Sequence, residues 1–230
     1  MLSPQTPPPP GDSSPTYVIV PSIPMYLPDL RCLFVHIPKT AGNSIMQAFG
    51  IGWENHMDLA RYREQLGADV LADCFKFAIV RNPWDRILSE YNFQRKKKQR
   101  ADTVRLYLHR PDGTERTFAE WVDHALSHPH DHPPKEWGGK TSPEIHRMSP
   151  QVDWISLDGK NGVDFVGRME SLQADFDAVC HRLGVPQKRL KRRNWKLHWH
   201  YSRYYDTATR DRVGKYYEKD IEAFGYGFEK

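Results

Sequence analysis

Two short apolar runs constrain the fold of this chain more than any other feature. Residues 32–37 (CLFVHI) and 75–80 (FKFAIV) are almost uninterrupted in apolar side chains, so both alternating faces of each run are apolar. Strands of that kind are buried on both sides and belong to parallel sheets. Each run leads into a polar turn and then into a stretch with helical periodicity. After the first come KTAGNS and IMQAF; after the second, Pro83 suits the first helical position, and Trp84, Ile87, Leu88 and Tyr91 recur at helical spacing. Strand, turn and helix therefore occur twice in succession, which predicts an α/β domain with helices on the faces of a central sheet.

The remaining punctuation fits one such domain. Nine of the eighteen prolines lie within the first 28 residues, among Ser and Gly and with few large apolar side chains at the start. Residues 1–16 cannot offset their ordering entropy by burial and are expected to form a flexible leader ahead of a single domain over 17–230. Asp58 is placed to cap a helix running through Leu66, and Thr117 with Glu120 reads as a capping box for a helix through Leu126. Between them, the RPDG turn at 110–113 predicts a hairpin. The His-, Pro- and Gly-rich stretch 127–149 reads as an irregular excursion, 163–167 as a third strand, and 172–183 as a helix stopped by Gly184. A last helix begins near Thr207, with Val213, Tyr217, Ile221 and Phe224 as its apolar stripe.

Composition excludes several classes. No apolar run approaches the roughly 20 residues that cross a bilayer, and the N-terminus lacks a charged-then-apolar signal layout, so neither a spanning nor a signal-bearing secreted protein is expected. Cys32, Cys74 and Cys180 are odd in number, have no CxxC spacing and sit in apolar runs, which favours packed, reduced thiols. Lys and Arg number 33 against 29 Asp and Glu, a net charge of +4. That excess is too small to argue for nucleic acid, while the basic runs at 95–100 (RKKKQR) and 188–193 (KRLKRR) suit either a solvated face or a track for an anionic ligand.

The two turns carry the chemistry. In FVHIPKTAGNSI, residues 34–45, Lys39, Thr40, Gly42, Asn43 and Ser44 stand between a strand and an apolar helix. Unpaired N–H groups and the dipole at a helix N-terminus make such a turn an anion cradle. Gly42 lets the backbone approach an anion, Lys39 supplies a mobile charge, and Thr40, Asn43 and Ser44 offer side-chain hydrogen bonds. It is not a Walker A loop, because the Lys precedes the Gly and no glycine lies upstream. In FAIVRNPWDRILSEY, residues 77–91, Arg81 ends the strand and Ser89 follows about two helical turns along, so the pair could grip one phosphate. The local alternatives are an Arg86–Glu90 i,i+4 pair and an Arg81 that satisfies a carboxylate.

Together, FVHIPKTAGNS and FAIVRNPWDRILSEYNF resemble the 5′-phosphosulfate loop and the 3′-phosphate segment of sulfotransferases that use 3′-phosphoadenosine 5′-phosphosulfate (PAPS). More narrowly, they resemble the carbohydrate-type family-2 sulfotransferases related to the chondroitin and heparan uronyl 2-O enzymes. The likeness continues through VDFVGRMESLQADF at 163–176 and HYSRYYDTATRDRVGKYYEKDIEAFGY at 200–226. The resemblance implies a P-loop-like, three-layer α/β domain, PAPS as sulfuryl donor, no metal ion, and a hydroxyl acceptor on a saccharide or acidic glycan, with no nucleic-acid partner and no membrane span. It further implies that Lys39 contacts the bridging oxygen and 5′-phosphate, that Thr40, Ala41, Gly42, Asn43, Ser44 and Ile45 wrap the phosphosulfate, and that Arg81 and Ser89 bind the 3′-phosphate. Golgi relatives carry a membrane anchor; a chain that starts at Met without one is expected in the cytoplasm, with a lumenal fragment of a Golgi-type enzyme as the alternative.

Relatives place the general base, a Glu or a His, shortly after the first helix, where GWENHMD at 52–58 offers Glu54 and His56. His56 is favoured, since relatives of this subfamily tend to carry a His there and an imidazole with an ordinary pKa of about 6.5 suits proton transfer at neutral pH. A surface or helix-capping His is the competing reading, and His36 on the preceding strand is assigned a structural role. His128, His130, Asp131 and His132, like His198 and His200, lack the spacing of a metal site. The aromatic group Trp195, Trp199, Tyr201, Tyr204 and Tyr205 fits core packing or a lid over adenine and sugar. The alternative functions are a nucleotide kinase-like phosphotransferase and a non-catalytic module that binds a glycan or PAP, the desulfated nucleotide.

Overall fold

The computed structural model describes residues 23, 25–52, 56–97, 108–129, 142–143, 145–191 and 199–229. The proline-rich leader, Glu54, His130, Asp131, His132, Trp195 and His198 lie outside them, as do parts of both basic runs. The chain opens with β1 (Tyr26–Leu27) and β2 (Cys32–Val35), then helices α1 (Gly42–Phe49), α2 (Leu59–Leu66) and α3 (Ala68–Asp73) lead to β3 (Phe75–Val80). Next come α4 (Pro83–Lys97), α5 (Phe118–Ser127), α6 (Gln151–Ile155), the small β4 (Ser156–Leu157) and β5 (Lys160–Asn161) ribbon, and β6 (Phe165–Arg168). Helices α7 (Leu172–Leu183), α8 (Thr207–Tyr216) and α9 (Glu218–Phe224) complete the chain. The main sheet has the order β1-β2-β3-β6, with β2, β3 and β6 parallel and β1 antiparallel at the edge. This is the mixed α/β architecture expected from the sequence, a mostly parallel central sheet flanked by helices. No helix among the described residues is long and apolar enough to cross a membrane.

Register explains the core. Phe34 of β2 lies opposite Phe77 of β3, and their rings stack at 4.9 Å. Because side chains alternate along a strand, Phe34, His36, Phe75 and Phe77 share one face. On that face Phe49 of α1 meets Phe77 at 6.3 Å and Phe176 of α7 at 5.4 Å. All four β2 residues are buried, which is why CLFV reads as continuous apolar sequence rather than as an alternating pattern. A second core lies around α4, where Trp84, Ile87, Leu88 and Tyr91 join Trp121 and Val122 of α5, Val213 of α8 and Tyr217. Cys32, Cys74 and Cys180 are free and buried.

Local signals placed most helix ends. Asp58 accepts the Arg61 N–H, the Thr117–Glu120 capping box is complete, and Gly184 closes α7 at φ 66°. Among the described residues the hairpin predicted at RPDG shows one antiparallel bridge, His109 with Glu115, flanked by the Arg116 N–H bond to the Leu108 carbonyl at 2.7 Å; residues 104–107 of its first arm lie outside them. One expectation is corrected. The last helix is two helices, α8 and α9, interrupted at Tyr217 (φ −103°, ψ 25°). Its ring is fully buried and its hydroxyl donates to the Met148 carbonyl at 2.7 Å, a tertiary bond that periodicity does not reveal.

Candidate active site

The loop between β2 and α1 is built from two left-handed, non-glycine residues, Lys39 at φ 71° and Ala41 at φ 66°. Such conformations cost on the order of 1 kcal/mol each and persist only where the surroundings hold them. Thr40, between them and fully buried, donates its hydroxyl to the Ile37 carbonyl at 3.0 Å, which closes the turn. Ala41 is the N-cap of α1 and provides no side-chain cap; Ser44 and Ile45 N–H turn back to the Ala41 carbonyl at 2.8 and 3.3 Å, while the Gly42 and Asn43 N–H groups have no acceptor among the described residues. Ser44 donates its hydroxyl to the Lys191 carbonyl at 2.9 Å, and Lys188 donates to the Ala48 carbonyl at 2.8 Å. The described part of the second basic run therefore lies across α1. Asn43 is exposed and Ile45 is buried in the core, so Ile45 has only its backbone to offer a ligand.

Helix α4 forms the opposite wall. Lys39 Nζ sits 4.0 Å from the centroid of the Phe93 ring, and the Arg147 guanidinium lies 5.2 Å from the same ring. Arg147 grips Glu90 with two bonds, Nε at 2.7 Å and an Nη at 2.8 Å, while Gln94 donates to Glu90 at 3.0 Å. Burial by itself would raise the Glu90 carboxyl. The Arg147 charge and its hydrogen bond, with Lys39 and Gln94, overcome that and hold it at about 2. Burial drives Lys39 down to about 7; Glu90 resists, while Arg147, Arg81 and Lys96 push further down.

Arg81 is committed on three sides. Nε and one Nη donate to Asp85 at 2.7 Å, and the other Nη donates to the Lys39 carbonyl at 3.3 Å. Its backbone exchanges two bonds with the Gln151 side chain, at 2.9 and 2.8 Å. The Arg86–Glu90 pair offered as a local alternative is not formed. Arg86 instead donates to the carbonyls of Pro38, Ser149 and Arg147 at 3.2, 3.1 and 3.0 Å, which ties the cradle to the loop bearing Arg147. Ser89 is half-buried and its hydroxyl makes no hydrogen bond among the described residues. By i,i+4 spacing it shares a helix face with Asp85 and Phe93, between the Arg81 fork and Lys39.

His56 enters from the segment before α2. Its Nδ1 lies 2.9 Å from the His36 carbonyl, and a carbonyl can only accept, so Nδ1 carries the hydrogen and Nε2 the lone pair. Its ring centroid is 4.2 Å from that of His36 and 6.1 Å from that of Trp154. Burial and the Arg147 charge lower its pKa to about 3, against the His36 carbonyl bond and Glu90, which raise it. The imidazole is therefore neutral across the physiological range. Glu170 accepts from the Asn82 N–H at 2.8 Å and from the Tyr226 hydroxyl at 3.0 Å, and so anchors the turn before α4. Among the described residues, no group of three or more His, Cys, Asp and Glu side chains is placed to hold a metal ion.

Sequence reasoning missed Arg147, Glu90, Phe93 and Gln151. Arg147 and Gln151 lie in or beside the stretch read as an excursion, and nothing local in the sequence points either residue at the cradle. Fold and site together define an α/β protein in which a strand–loop–helix turn carries Lys39 beside a helix N-terminus that lacks a side-chain cap. A family model described as the sulfotransferase family matches residues 25–227. The chain belongs to that family, the family-2 sulfotransferases, and its reaction is sulfuryl transfer. No curated protein and no solved structure matches the chain.

Proposed function

We propose that this chain transfers the sulfuryl group of PAPS to a carbohydrate hydroxyl and releases PAP. The observation that carries the reading is the convergence of an uncapped helix N-terminus, a half-buried lysine and a neutral histidine of defined tautomer around one loop. The α1 N–H groups and Lys39 suit the 5′-phosphosulfate, and Arg81 with Ser89 suits the 3′-phosphate, where a ligand oxygen would compete with Asp85 for the Arg81 fork. In the transfer, the acceptor oxygen forms a bond to sulfur while the bond from sulfur to the 5′-phosphate oxygen breaks. The acceptor proton passes to His56 Nε2, and Lys39 with the α1 N-terminus offsets charge on the departing phosphate oxygen. Lys39 and Arg147 are among the charges that depress His56, so a bound anion that neutralises them strengthens the base just when it is needed. The free, buried thiols support a reducing compartment, the cytoplasm, as the site of action.

Calorimetric titration of PAP against wild type, Arg81→Ala and Ser89→Ala, with 5′-AMP as control, tests the donor. Tight PAP binding that both substitutions weaken, with AMP much poorer, is the expected result. Equal binding of PAP and AMP would remove the basis for the assignment. Transfer of ³⁵S from PAPS to a pool of desulfated chondroitin and heparin tests the acceptor class.

A further inference from the structure

One buried polar side chain beside the site has no part in the scheme above. His36 is 5% exposed, stacks on Phe34 at 5.6 Å, and its Nδ1 makes no hydrogen bond among the described residues. An orphaned polar atom in the core carries a desolvation cost that an apolar ring would avoid. The ring also meets two parts of the site at once. On one side lies His56, centroid to centroid at 4.2 Å. On the other lies Gly42, where an added Cβ would stand 1.7 Å from His36 Nε2 and 2.0 Å from Cδ2. Gly42 is not among the positive-φ residues, so its backbone does not demand glycine; the His36 ring does.

We infer that His36 is a positioning residue for sulfuryl transfer: its ring is the spacer between the first turn of α1 and the His56 imidazole and keeps that imidazole seated on the His36 backbone carbonyl, so that His36→Ala, which retains the carbonyl, loses the hold on the tautomer. The inference rests on His56 as the base. If the ring shrinks, His56 gains freedom to leave the line of attack while the cradle keeps its donors, so the loss falls on turnover rather than on donor affinity. If Gly42 gains a methyl, the ring must move, and His56 moves with it.

The test combines His36→Ala, Gly42→Ala and the double variant in the PAP-bound protein. Imidazole ¹⁵N NMR of His56 is expected to show a single Nδ1–H tautomer in wild type and averaged signals in His36→Ala, with PAP affinity within about threefold. The methyl of Gly42→Ala is expected to perturb the His56 signals strongly when the His36 ring is present and little when it is absent. Unchanged His56 signals in His36→Ala, or a methyl effect of equal size in both backgrounds, would overturn the inference. In the ³⁵S assay, His36→Ala should lower kcat at least tenfold and add nothing to His56→Ala. A kcat loss as large in the His56→Ala background would also overturn it. Near-normal turnover by His56→Ala would refute the base assignment and the inference with it. Failure of the glycan pool to accept label would count against the acceptor class alone, leaving the NMR arm to decide the role of His36.

Discussion

Replacing Glu90 with Gln probes the buried charge cluster behind Lys39 with almost no change in shape. The carboxylate is 3% exposed, receives two bonds from Arg147 and one from Gln94, and titrates at about 2 instead of 4.5. At about 1.4 kcal/mol per pH unit, that depression corresponds to about 3 kcal/mol of stability at neutral pH. The figure agrees with the roughly 3–5 kcal/mol expected when one member of a buried ion pair is removed. Because the folded-state pKa lies below the unfolded one, the stabilisation is fully present above about pH 4.5 and fades as pH falls toward 2. Urea unfolding of wild type and Glu90→Gln should therefore show a gap of about 3 kcal/mol from pH 8 to about pH 5, equivalent to about 6–12 °C in Tm, and a narrowing gap below that. A gap under about 1 kcal/mol, or one that does not change through the acid range, would refute the reasoning. The same substitution removes the charge that keeps Lys39 protonated, so donor binding at neutral pH should weaken as well.

Three further outcomes are expected. With its pKa lowered to about 7, Lys39 loses its charge as pH rises, so PAP affinity in the wild type should fall through that region; Lys39→Arg, which stays charged, should flatten the profile between pH 6 and 9, and calorimetry across that range checks both. Thr117→Ala breaks the capping box of α5 and should lower stability by about 1 kcal/mol in the same urea assay. Burial lifts the Cys32 thiol to about 12, and all three thiols are enclosed, so a chromogenic disulfide reagent at pH 8 should react only as the protein unfolds; a fast stoichiometric reaction of the native chain would contradict the buried placement.

Much of this molecule follows from short-range rules. Strand β3 coincides with the apolar run FKFAIV, Pro83 opens α4, and Asp58, Thr117 and Gly184 end or start their helices where the sequence places them. Those features are legible because a strand buried on both faces, a cap and a left-handed stop are each set by a few neighbouring residues. The two loops of the site are legible for the same reason, since strand, turn and helix follow one another directly in the chain.

Partner choice is not legible in that way. Arg86 and Glu90 stand one helical turn apart and read as an ion pair, yet Arg86 serves three carbonyls and Glu90 binds Arg147. Buried carbonyls and carboxylates need donors wherever the fold leaves them, and that demand outweighs the few tenths of a kcal/mol of a local i,i+4 pair. Likewise, the sequence suggests that Gly42 admits an anion, whereas the tertiary structure shows it admitting the His36 ring. By itself, the sequence determined the α/β order of elements, the two strand-to-helix turns and the helix ends, because those depend on contacts a few residues long. Only the tertiary structure decided which charges meet at Lys39, which atom of His56 holds the lone pair, and why position 42 is glycine, because each depends on groups that distant segments bring together.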